Sequence, residues 1–454
     1  CPFEQLDISP WAEATYRHFV RNPLGQRLPR KFKINFSGCA TDCGQAMFND
    51  VGVVATTRTL ADGGVEPGFR VYIAGGLGAN PHPALALEEF TAREDLLPTI
   101  EALLRVFDQA GNRDNKLRAR MKWLVETLGL EEIQRRVFAI RRFLVASSNW
   151  PGGLPPEVLV NGDEPAGTAG DIAPTQIGQG TPVSLGPGAP YDRWLQANVV
   201  RGAANGTLSA YASADLGDIT GDQFRALASL QRDLAADVRL TNRQNLVFRG
   251  LADADLPNLH RGLEAISMAS PGAETVRDVV ACPGADTCNL AVTQSRGLAR
   301  AITERLEEEG LDGVGGLRVN ISGCPNSCGQ HHAADIGFFG TERRVQGRSA
   351  PGYQMMLGGF VGNEQIHFGT KALRLPAKTA PEATARVVRR FVGEREPAES
   401  FRDWLERSGG VRSIADDLRD LDVFPAHDAD ESYFQDFDEA GPYEVATGDS
   451  ECAV

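Results

Sequence analysis

Four cysteines in the second half of the chain have the types and spacings of a metal centre. Cys282 and Cys288 form a C-x5-C pair, and 36 residues further on Cys324 and Cys328 form a C-x3-C pair. Four thiolates are the ligand set of a [4Fe–4S] cluster. Zinc pairs are usually tighter, and structural disulfides concentrate in small secreted domains. The spacing therefore favours an iron–sulfur cluster over zinc or a disulfide framework.

Two lysines near the N-terminus could hold a small anion. Lys31 and Lys33 stand in the word Leu-Pro-Arg-Lys-Phe-Lys, and residues two apart on a strand point to the same face. A solvated strand end is the plain interpretation of such a pair. The functional interpretation is a cationic pocket that binds an oxyanion and delivers protons to it.

A denser group of cations follows at residues 113–122. If this segment is helical, Arg113, Lys116 and Arg120 share one face at i, i+3 and i+7. Such a face either is solvated or binds a ligand rich in carboxylates.

A long internal repeat relates the two halves of the chain. Residues 33–45 mirror residues 318–330 at an offset of 285, and Asp50-Val-Gly52 mirrors Asp335-Ile-Gly337. Gly75-Gly76 mirrors Gly358-Gly359 at nearly the same offset. This period is too long for a solenoid, so the repeat indicates a duplicated domain.

The first copy of the repeat keeps its own cysteines. Cys39 and Cys43 correspond to the second C-x3-C pair, and Cys1 falls within two residues of the place of Cys288. Either this copy holds a second iron–sulfur cluster completed by an upstream cysteine, or it is a decayed relic. The preserved spacing of the three cysteines favours a cluster. Asp42 counts against one, because it would place a negative charge beside an anionic cluster. The start at Cys1 predicts a fragment whose beginning lies upstream.

The surrounding pattern predicts α/β copies joined by other segments. Strands are expected at 31–37, 69–74, 317–322 and 353–357, and helices at 96–108 and 380–394. An α+β unit is expected between the copies, with strands at 195–201 and 207–212. The predicted domains are 1–145, a Gly/Pro-rich linker at 146–192, 193–270, 271–424 and a mostly disordered acidic tail at 425–454 that includes Cys452.

Composition narrows the class of protein. The 454 residues carry a net charge of −14, which argues against a nucleic-acid surface. No apolar run reaches the roughly 20 residues that a membrane span needs, and no signal peptide is visible. Thiols suited to metal binding fit a reducing, cytoplasmic compartment.

The words Val279–Pro283 and Val319–Gln330 closely resemble the cluster segments of the sirohaem-dependent sulfite and nitrite reductases. The resemblance implies an α+β fold in which two cluster-type domains flank a ferredoxin-like half-domain. A further leading half-domain of the family is missing from this chain. The resemblance also implies a sirohaem beside the [4Fe–4S] cluster.

Roles for individual residues follow from the same resemblance. Cys282, Cys288, Cys324 and Cys328 would bind the cluster, and Cys328 would also be axial to the sirohaem iron. Lys31 and Lys33 would line the substrate pocket. The residues implied in sirohaem binding are Arg113, Lys116, Arg120, Arg239, Arg243 and Asn326.

The predicted activity is the assimilatory six-electron reduction of sulfite, with ferredoxin as donor. No G-x-G-x-x-G fingerprint follows a strand, which disfavours a pyridine nucleotide as direct donor. The Lys-x-Lys word resembles the sulfite enzymes, whereas plant-type nitrite reductases tend to carry Asn at the second position. Reduction of nitrite to ammonia is the alternative, and a non-catalytic iron–sulfur electron-transfer protein is an alternative of another class.

Overall fold

The computed structural model describes residues 6–147, 188–201, 207–362, 365–445 and 448. The chain divides into two compact units. Of the described residues, the N-terminal unit comprises 6–147, 361–362 and 365–366, and the C-terminal unit comprises 188–201, 207–360, 367–445 and 448. Among the helices of the described ranges, none has both the length and the apolar character of a membrane span.

The N-terminal unit is built on a four-stranded sheet in the order β1-β2-β3-β4. β1 pairs with β2 in parallel and the remaining pairs are antiparallel. Apolar residues at helical spacing, Ile100, Leu103 and Phe107, bury one face of helix α3 in the core of this unit. The elements are α1 (Ser9–Phe19), α2 (Pro23–Gln26), β1 (Ile34–Ser37), β2 (Val51–Thr59), β3 (Val65–Ile73), β4 (Leu85–Thr91), α3 (Leu96–Ala110), α4 (Met121–Leu128) and α5 (Leu130–Ala146).

The C-terminal unit begins with a small antiparallel sheet in the order β5-β6-β8-β7. Thr220 and Gln223 form a capping box that fixes the start of helix α7. The elements are α6 (Pro190–Asn198), β5 (Val199–Arg201), β6 (Leu208–Ala212), α7 (Gly221–Asp233), β7 (Asp237–Leu240), β8 (Leu246–Leu251) and α8 (Leu256–Glu264).

The rest of this unit surrounds a five-stranded sheet in the order β15-β12-β11-β10-β9. Strands β9, β10 and β11 are parallel, and fully buried aromatic residues such as Phe391 and Trp404 fill the core. The elements are β9 (Val280–Ala281), α9 (Ser295–Glu308), β10 (Val319–Ser322), β11 (Ile336–Val345), β12 (Arg348–Leu357), β15 (Thr370–Pro376), α10 (Ala380–Glu394), α11 (Phe401–Arg407) and α12 (Gly410–Asp417). A separate two-stranded sheet consists of β13 (Phe360–Gly362) and β14 (Gln365–His367).

The internal repeat is preserved in the hydrogen bonds of both copies. Asn35 Nδ2 donates to Gly44 O at 2.6 Å, and Asn320 Nδ2 donates to Gly329 O at 2.9 Å. Ile34 pairs with Val51 in the first copy, and the residues 285 positions later pair in the second. These matches in strand register and side-chain bonding support the duplication.

The correspondence predicted between Gly75-Gly76 and Gly358-Gly359 is shifted by one residue in the structure. The backbone N–H of Ala74 donates to Asp50 O, as that of Gly358 donates to Asp335 O, and both residues have a positive φ. Ala74 therefore corresponds to Gly358, and Gly75 corresponds to Gly359. The offset between the two copies at this point is therefore one residue larger than the match of Gly75 with Gly358 suggested. The reason is that Ala74 adopts the left-handed conformation that Gly358 adopts in the second copy.

Two local predictions were wrong. Residues 113–120 do not form a helix: a short 3-10 turn covers Lys116–Arg118, and α4 begins only at Met121. Arg113, Lys116 and Arg120 therefore do not share a helical face. The segment 195–201 was expected to be a strand, but its first part belongs to α6.

The C-terminal prediction also needs correction. Residues 425–445 are ordered against the C-terminal unit, with Phe434 and Tyr443 buried, rather than forming a disordered tail. Cys452 lies outside the described residues, as does most of the predicted linker, from 148 to 187.

Candidate metal centre and anion site

The four cysteines of the C-terminal unit follow the ends of two adjacent parallel strands. Cys282 comes directly after β9, and Cys324 lies two residues after β10. The backbone N–H of Cys282 donates to Ile321 O at 3.1 Å, which extends the strand pairing to the first cysteine. Because parallel strands end at the same edge of a sheet, both cysteine loops meet there.

Electrostatic coupling shows that the four thiols lie close to one another. The pKa of Cys324 is raised to about 11, mainly by burial and in smaller part by the neighbouring thiols of Cys282, Cys328 and Cys288. The backbone N–H of Asn326 bonds to Cys324 and opposes this shift. A cluster of iron ions would stabilise the thiolate forms that mutual repulsion disfavours here.

Glycines let the two cysteine loops approach closely. A Cβ on Gly323 would lie 2.8 Å from Thr293 O and 2.9 Å from the Cα of Gly284. Gly284 itself has a φ of +63°. The backbone N–H of Gly323 donates to Cys282 Sγ at 3.2 Å. A side chain at either glycine would separate the loops and move the first thiol away from the second pair.

The arrangement suits a polynuclear cluster better than a single ion. In the ranges that the structure describes, no group of three or more His, Cys, Asp or Glu residues could hold one metal ion. Thiolates of a cube bind different irons and need not converge on one point. Four neighbouring thiols with N–H donors to sulfur fit such a cluster.

A turn of the small antiparallel sheet supports the first cysteine loop. The Gln244 side chain bonds both to Ala281 O, at 3.1 Å, and to Ala281 N, at 3.3 Å. Asn245 Nδ2 donates to both carboxylate oxygens of Asp278, at 2.9 and 3.0 Å. Sequence reasoning singled out the arginines of this turn and missed its amides, because nothing in their spacing indicates long-range partners.

The two arginines of that turn have different surroundings. Arg239 is exposed on β7 and bonds to Asp237. Arg243 is buried, and its Nε lies 3.3 Å from Glu274 Oε2. Burial lowers the pKa of Arg243, but Glu274 and Asp278 outweigh this and raise it, so its charge is retained. Arg243 thus connects the half-domain sheet to the cluster region within this unit.

In the N-terminal unit, the two lysines precede β1 and are exposed. The backbone N–H of Lys33 donates to Asp50 Oδ2 at 2.9 Å, so the chain is fixed while the side chain stays in solvent. Lys31 also borders a cavity of about 470 Å³ with Phe19 and Leu104. Both ammonium groups can therefore meet a dissolved anion.

The basic segment of this unit is largely tied to the protein itself. Arg120 forms two hydrogen bonds to buried Asp50, and Arg113 bonds to Asp108 and to two backbone carbonyls. Lys116 is exposed. Lys122 is buried, and burial lowers its pKa to about 8. Arg113 and Arg120 are ion-paired with Asp108 and Asp50, whereas Lys116 is exposed and forms no ion pair with the residues that the structure describes.

The cysteines of the first copy form a close pair. A hydrogen bond with Cys43 raises the pKa of Cys39 far above its usual value, and burial raises it further. Thr41 Oγ1 lies 2.8 Å from Cys39 Sγ. Asp42 directs its carboxylate to the backbone N–H groups of Ala46 and Met47. Cys1, the third cysteine of the predicted second cluster, lies outside the described residues.

Comparison with known proteins relates these features to one family. Residues 1–142 and 272–413 match the model described as nitrite and sulphite reductase 4Fe-4S domain. Residues 201–266 match the nitrite/sulfite reductase ferredoxin-like half domain. Both matches agree with the expected α+β architecture, in which two cluster-type domains flank a half-domain.

Individual relatives support the same relationship. The chain is 28% identical over 449 residues to the assimilatory ferredoxin-dependent nitrite reductase of Haloferax mediterranei, covering 97% of this chain and 72% of the relative. It is 29% identical over 422 residues to sulfite reductase [ferredoxin] 1 of Mycolicibacterium paratuberculosis, covering 89% and 67%. The solved structure of the Mycobacterium tuberculosis NirA protein gives a TM-score of 0.67 at 27% identity, covering 89% of this chain and 68% of that one.

Proposed function

Because the chain belongs to the nitrite and sulphite reductase family, we propose that it reduces sulfite to sulfide with six electrons from a ferredoxin. Family membership makes it an oxidoreductase that uses a sirohaem and a [4Fe–4S] cluster. Relatives named for either substrate match the chain, so the preference for sulfite depends on its own residues. The observation that carries it is the exposed pair Lys31 and Lys33.

The lysine pair is suited to a doubly charged oxyanion. Both lysines are exposed and lie two residues apart, immediately before β1 begins at Ile34. The bond from Lys33 N–H to Asp50 fixes the backbone from which the side chain extends. Two cations stabilise sulfite more than the singly charged nitrite, and each ammonium can donate a proton as the anion loses oxygen.

In the C-terminal unit, Cys282, Cys288, Cys324 and Cys328 would hold the cluster, and Cys328 would also hold the sirohaem iron. When bound, these cofactors supply electrons and an open iron position for the anion. The residues around the cysteines hold the sulfur atoms: Gly323 N–H bonds to Cys282, and Asn326 N–H bonds to Cys324. N–H donors to sulfur stabilise the added negative charge of a reduced cluster.

Cationic residues would hold the carboxylates of the sirohaem. Lys116 is exposed and suits direct contact, and Arg239 is exposed as well but is paired with Asp237 at the surface. Arg113, Arg120 and Arg243 are engaged with carboxylates of the protein, so their proposed contribution is a positive field and any donors left over from those pairs. Asn326 is exposed beside Cys324 and is proposed to contact the cofactor through its side-chain amide.

Nitrite reduction to ammonia is the second candidate. It is favoured by the match to the Haloferax mediterranei enzyme, which extends over 97% of the chain. The ferredoxin donor is supported by the names of both kinds of relative. The same proposal assigns the enzyme to the cytoplasm, where cysteine thiols stay reduced and available to iron.

Anaerobic turnover with each substrate tests the proposal. The complete protein is supplied with reduced ferredoxin and with sulfite or nitrite, and sulfide and ammonium are measured. We expect kcat/KM to be higher for sulfite, and no turnover when NADPH replaces ferredoxin. A higher kcat/KM for nitrite would select the second candidate, and no reduction of either anion would refute both.

A further inference from the structure

Residues 426–445 and Gly448, together called the C-terminal segment, lie across the loop that carries Cys288. Tyr443 OH donates to Val292 O at 2.8 Å, and the backbone N–H of Gly448 donates to Asn289 O at 2.8 Å. Asp436 Oδ2 accepts the backbone N–H of Gln294 at 2.9 Å. The loop from Cys288 to the start of α9 is therefore bonded to this segment at three positions.

The same loop contacts the second cysteine pair. The backbone N–H groups of Val292 and Thr293 both donate to Gly323 O, at 2.7 and 3.2 Å. Gly323 directly precedes Cys324. The loop thus lies between the C-terminal segment on one side and the C-x3-C loop on the other.

Few other contacts hold the loop on its outer side. Residues 285–289 are exposed, and the only helical structure among them is a 3-10 turn at Gly284–Asp286. Two backbone bonds anchor Cys288 locally, from its N–H to Gly284 O and from Ala291 N–H to its carbonyl. Contacts from the C-terminal segment are therefore a large part of what orders residues 289–294.

The segment itself is firmly seated. Phe434, Asp436 and Tyr443 are buried, at 3%, 7% and 8% exposure. Phe437 fits against α9 only because residue 297 is glycine: a Cβ there would lie 2.3 Å from Phe437 Cβ. Asp438 adds an ion pair with Arg300 of the same helix.

The segment also encloses a cavity next to Cys288. The cavity has a volume of about 490 Å³. Residues 285–289 form one wall, and Asp436, Glu439, Tyr443 and Glu444 form the other. Removing the segment would open this side of the cysteine loop to solvent and to small molecules.

We propose that this C-terminal segment acts as a strap that positions the Cys288 loop against the Cys324 loop and thereby retains the [4Fe–4S] cluster. Asp436 and Tyr443 are positioning residues, since they act through the loop and not on the cluster. The inference rests on the proposed ligand role of Cys288.

The test measures how fast the cluster of the anaerobic holoenzyme loses iron to 2,2′-bipyridyl. This chelator is uncharged, so a change in surface charge does not by itself alter its approach. Tyr443→Phe removes only the hydroxyl that bonds to Val292, and we expect iron loss about fivefold faster, as for one net hydrogen bond. Ending the chain after Ala426 removes all of the strap's hydrogen bonds to the loop and should accelerate iron loss at least about tenfold.

Two further variants separate positioning from general stability. Tyr433→Phe is the matched control, because it removes a hydroxyl from the same segment while the Tyr433 ring contacts Lys378. It should leave iron loss unchanged. Gly297→Ala should displace Phe437 of the strap, while alanine favours the helical conformation of α9 more than glycine does. Faster iron loss from this variant would therefore act through the strap and not through a weaker helix.

Hydrogen exchange supplies a readout that does not depend on the cluster spectrum. Peptides covering residues 284–294 should exchange faster in Tyr443→Phe, and peptides covering β1 and β2 should not. The strap inference fails if Tyr443→Phe and Gly297→Ala each show the same rate of iron loss and the same hydrogen exchange as the unaltered protein. This outcome decides the question even if the shortened chain does not fold. Cys288→Ser distinguishes failure of the strap inference from failure of the ligand assignment. An intact cluster in that variant would refute the assignment of Cys288 as a ligand.

Discussion

The guanidinium of Arg120 lies against the fully buried carboxylate of Asp50, with Nε 3.0 Å from Oδ1 and Nη2 2.7 Å from Oδ2. Asp50 Oδ2 also accepts the backbone N–H of Lys33 at 2.9 Å. A cation predicted to bind the sirohaem is thus connected, through one carboxylate, to a lysine predicted to bind substrate. This relationship gives Arg120 a structural role whatever else it contacts.

Arg120→Ala should therefore destabilise the protein strongly. The change leaves Asp50 buried without its counter-ion, which costs about 3–5 kcal/mol in comparable sites. Arg113→Ala is the matched control, because its pair with Asp108 is half exposed and should be worth no more than about 1 kcal/mol. Denaturant unfolding of the three proteins measures the difference. Equal losses in both variants would contradict the structural role of Arg120.

Removing the lysine charges should reduce turnover without disturbing the cofactors. Lys31→Ala and Lys33→Ala each remove one charged donor to the anion, which is worth about 2–4 kcal/mol, or a factor of about 30 to 1000 in rate. Arg225→Ala is the control, because it removes an exposed cation that is paired with Asp222 of the same helix in the other unit, and it should retain normal turnover. If both variants keep near-normal kinetics with unchanged absorbance, the lysines belong to a solvated strand end.

The first copy is predicted to hold a second iron–sulfur cluster, with Cys39 and Cys43 among its ligands. The support is the close pair Cys39 and Cys43, in the register of Cys324 and Cys328. Iron and acid-labile sulfide should then give about eight cluster irons per chain, falling by half in Cys39→Ala/Cys43→Ala. About four irons, unchanged in the double variant, would identify the first copy as a relic.

Acid should weaken the N-terminal unit through Glu101. Burial raises the pKa of this carboxyl, but bonds from His18 and Arg105 lower it more, so the net pKa lies below the usual value. A lowered carboxyl pKa stabilises the folded state above the unfolded pKa, and this contribution is lost as pH falls. In Glu101→Gln, the loss of unfolding free energy between pH 6 and pH 4 should therefore be smaller, by less than about 1 kcal/mol. An unchanged pH dependence would exclude this role.

The sequence predicted the features that are repeated or local. Cysteine spacing and the 285-residue register need no tertiary information, and helix α10 was predicted at its observed bounds because its apolar spacing continues without interruption. The helix expected at 113–120 failed for a local reason. Asn112 and Asn115 accept backbone N–H groups of Asp114, Asn115 and Leu117, and these turns compete with helical hydrogen bonds.

The ordered C-terminal segment could not be predicted in the same way. Its composition is acidic and poor in aliphatic residues, which is typical of disorder. Its order comes from partners about 140 to 150 residues earlier in the chain, such as Gln294 and Val292. Contacts of Gln244 and Asn245 were missed for the same reason, since an amide carries no signal of a distant partner.

The most direct test of the central claim is the anaerobic absorption spectrum and iron content of Cys328→Ser. The account assigns Cys328 to both cofactors, and a serine oxygen cannot replace a thiolate between two soft iron centres. We expect the variant to lose the red sirohaem band together with the cluster iron of the C-terminal unit, while Cys43→Ser keeps the sirohaem band. A Cys328→Ser protein that retained full sirohaem absorbance and sulfite or nitrite turnover would contradict the account.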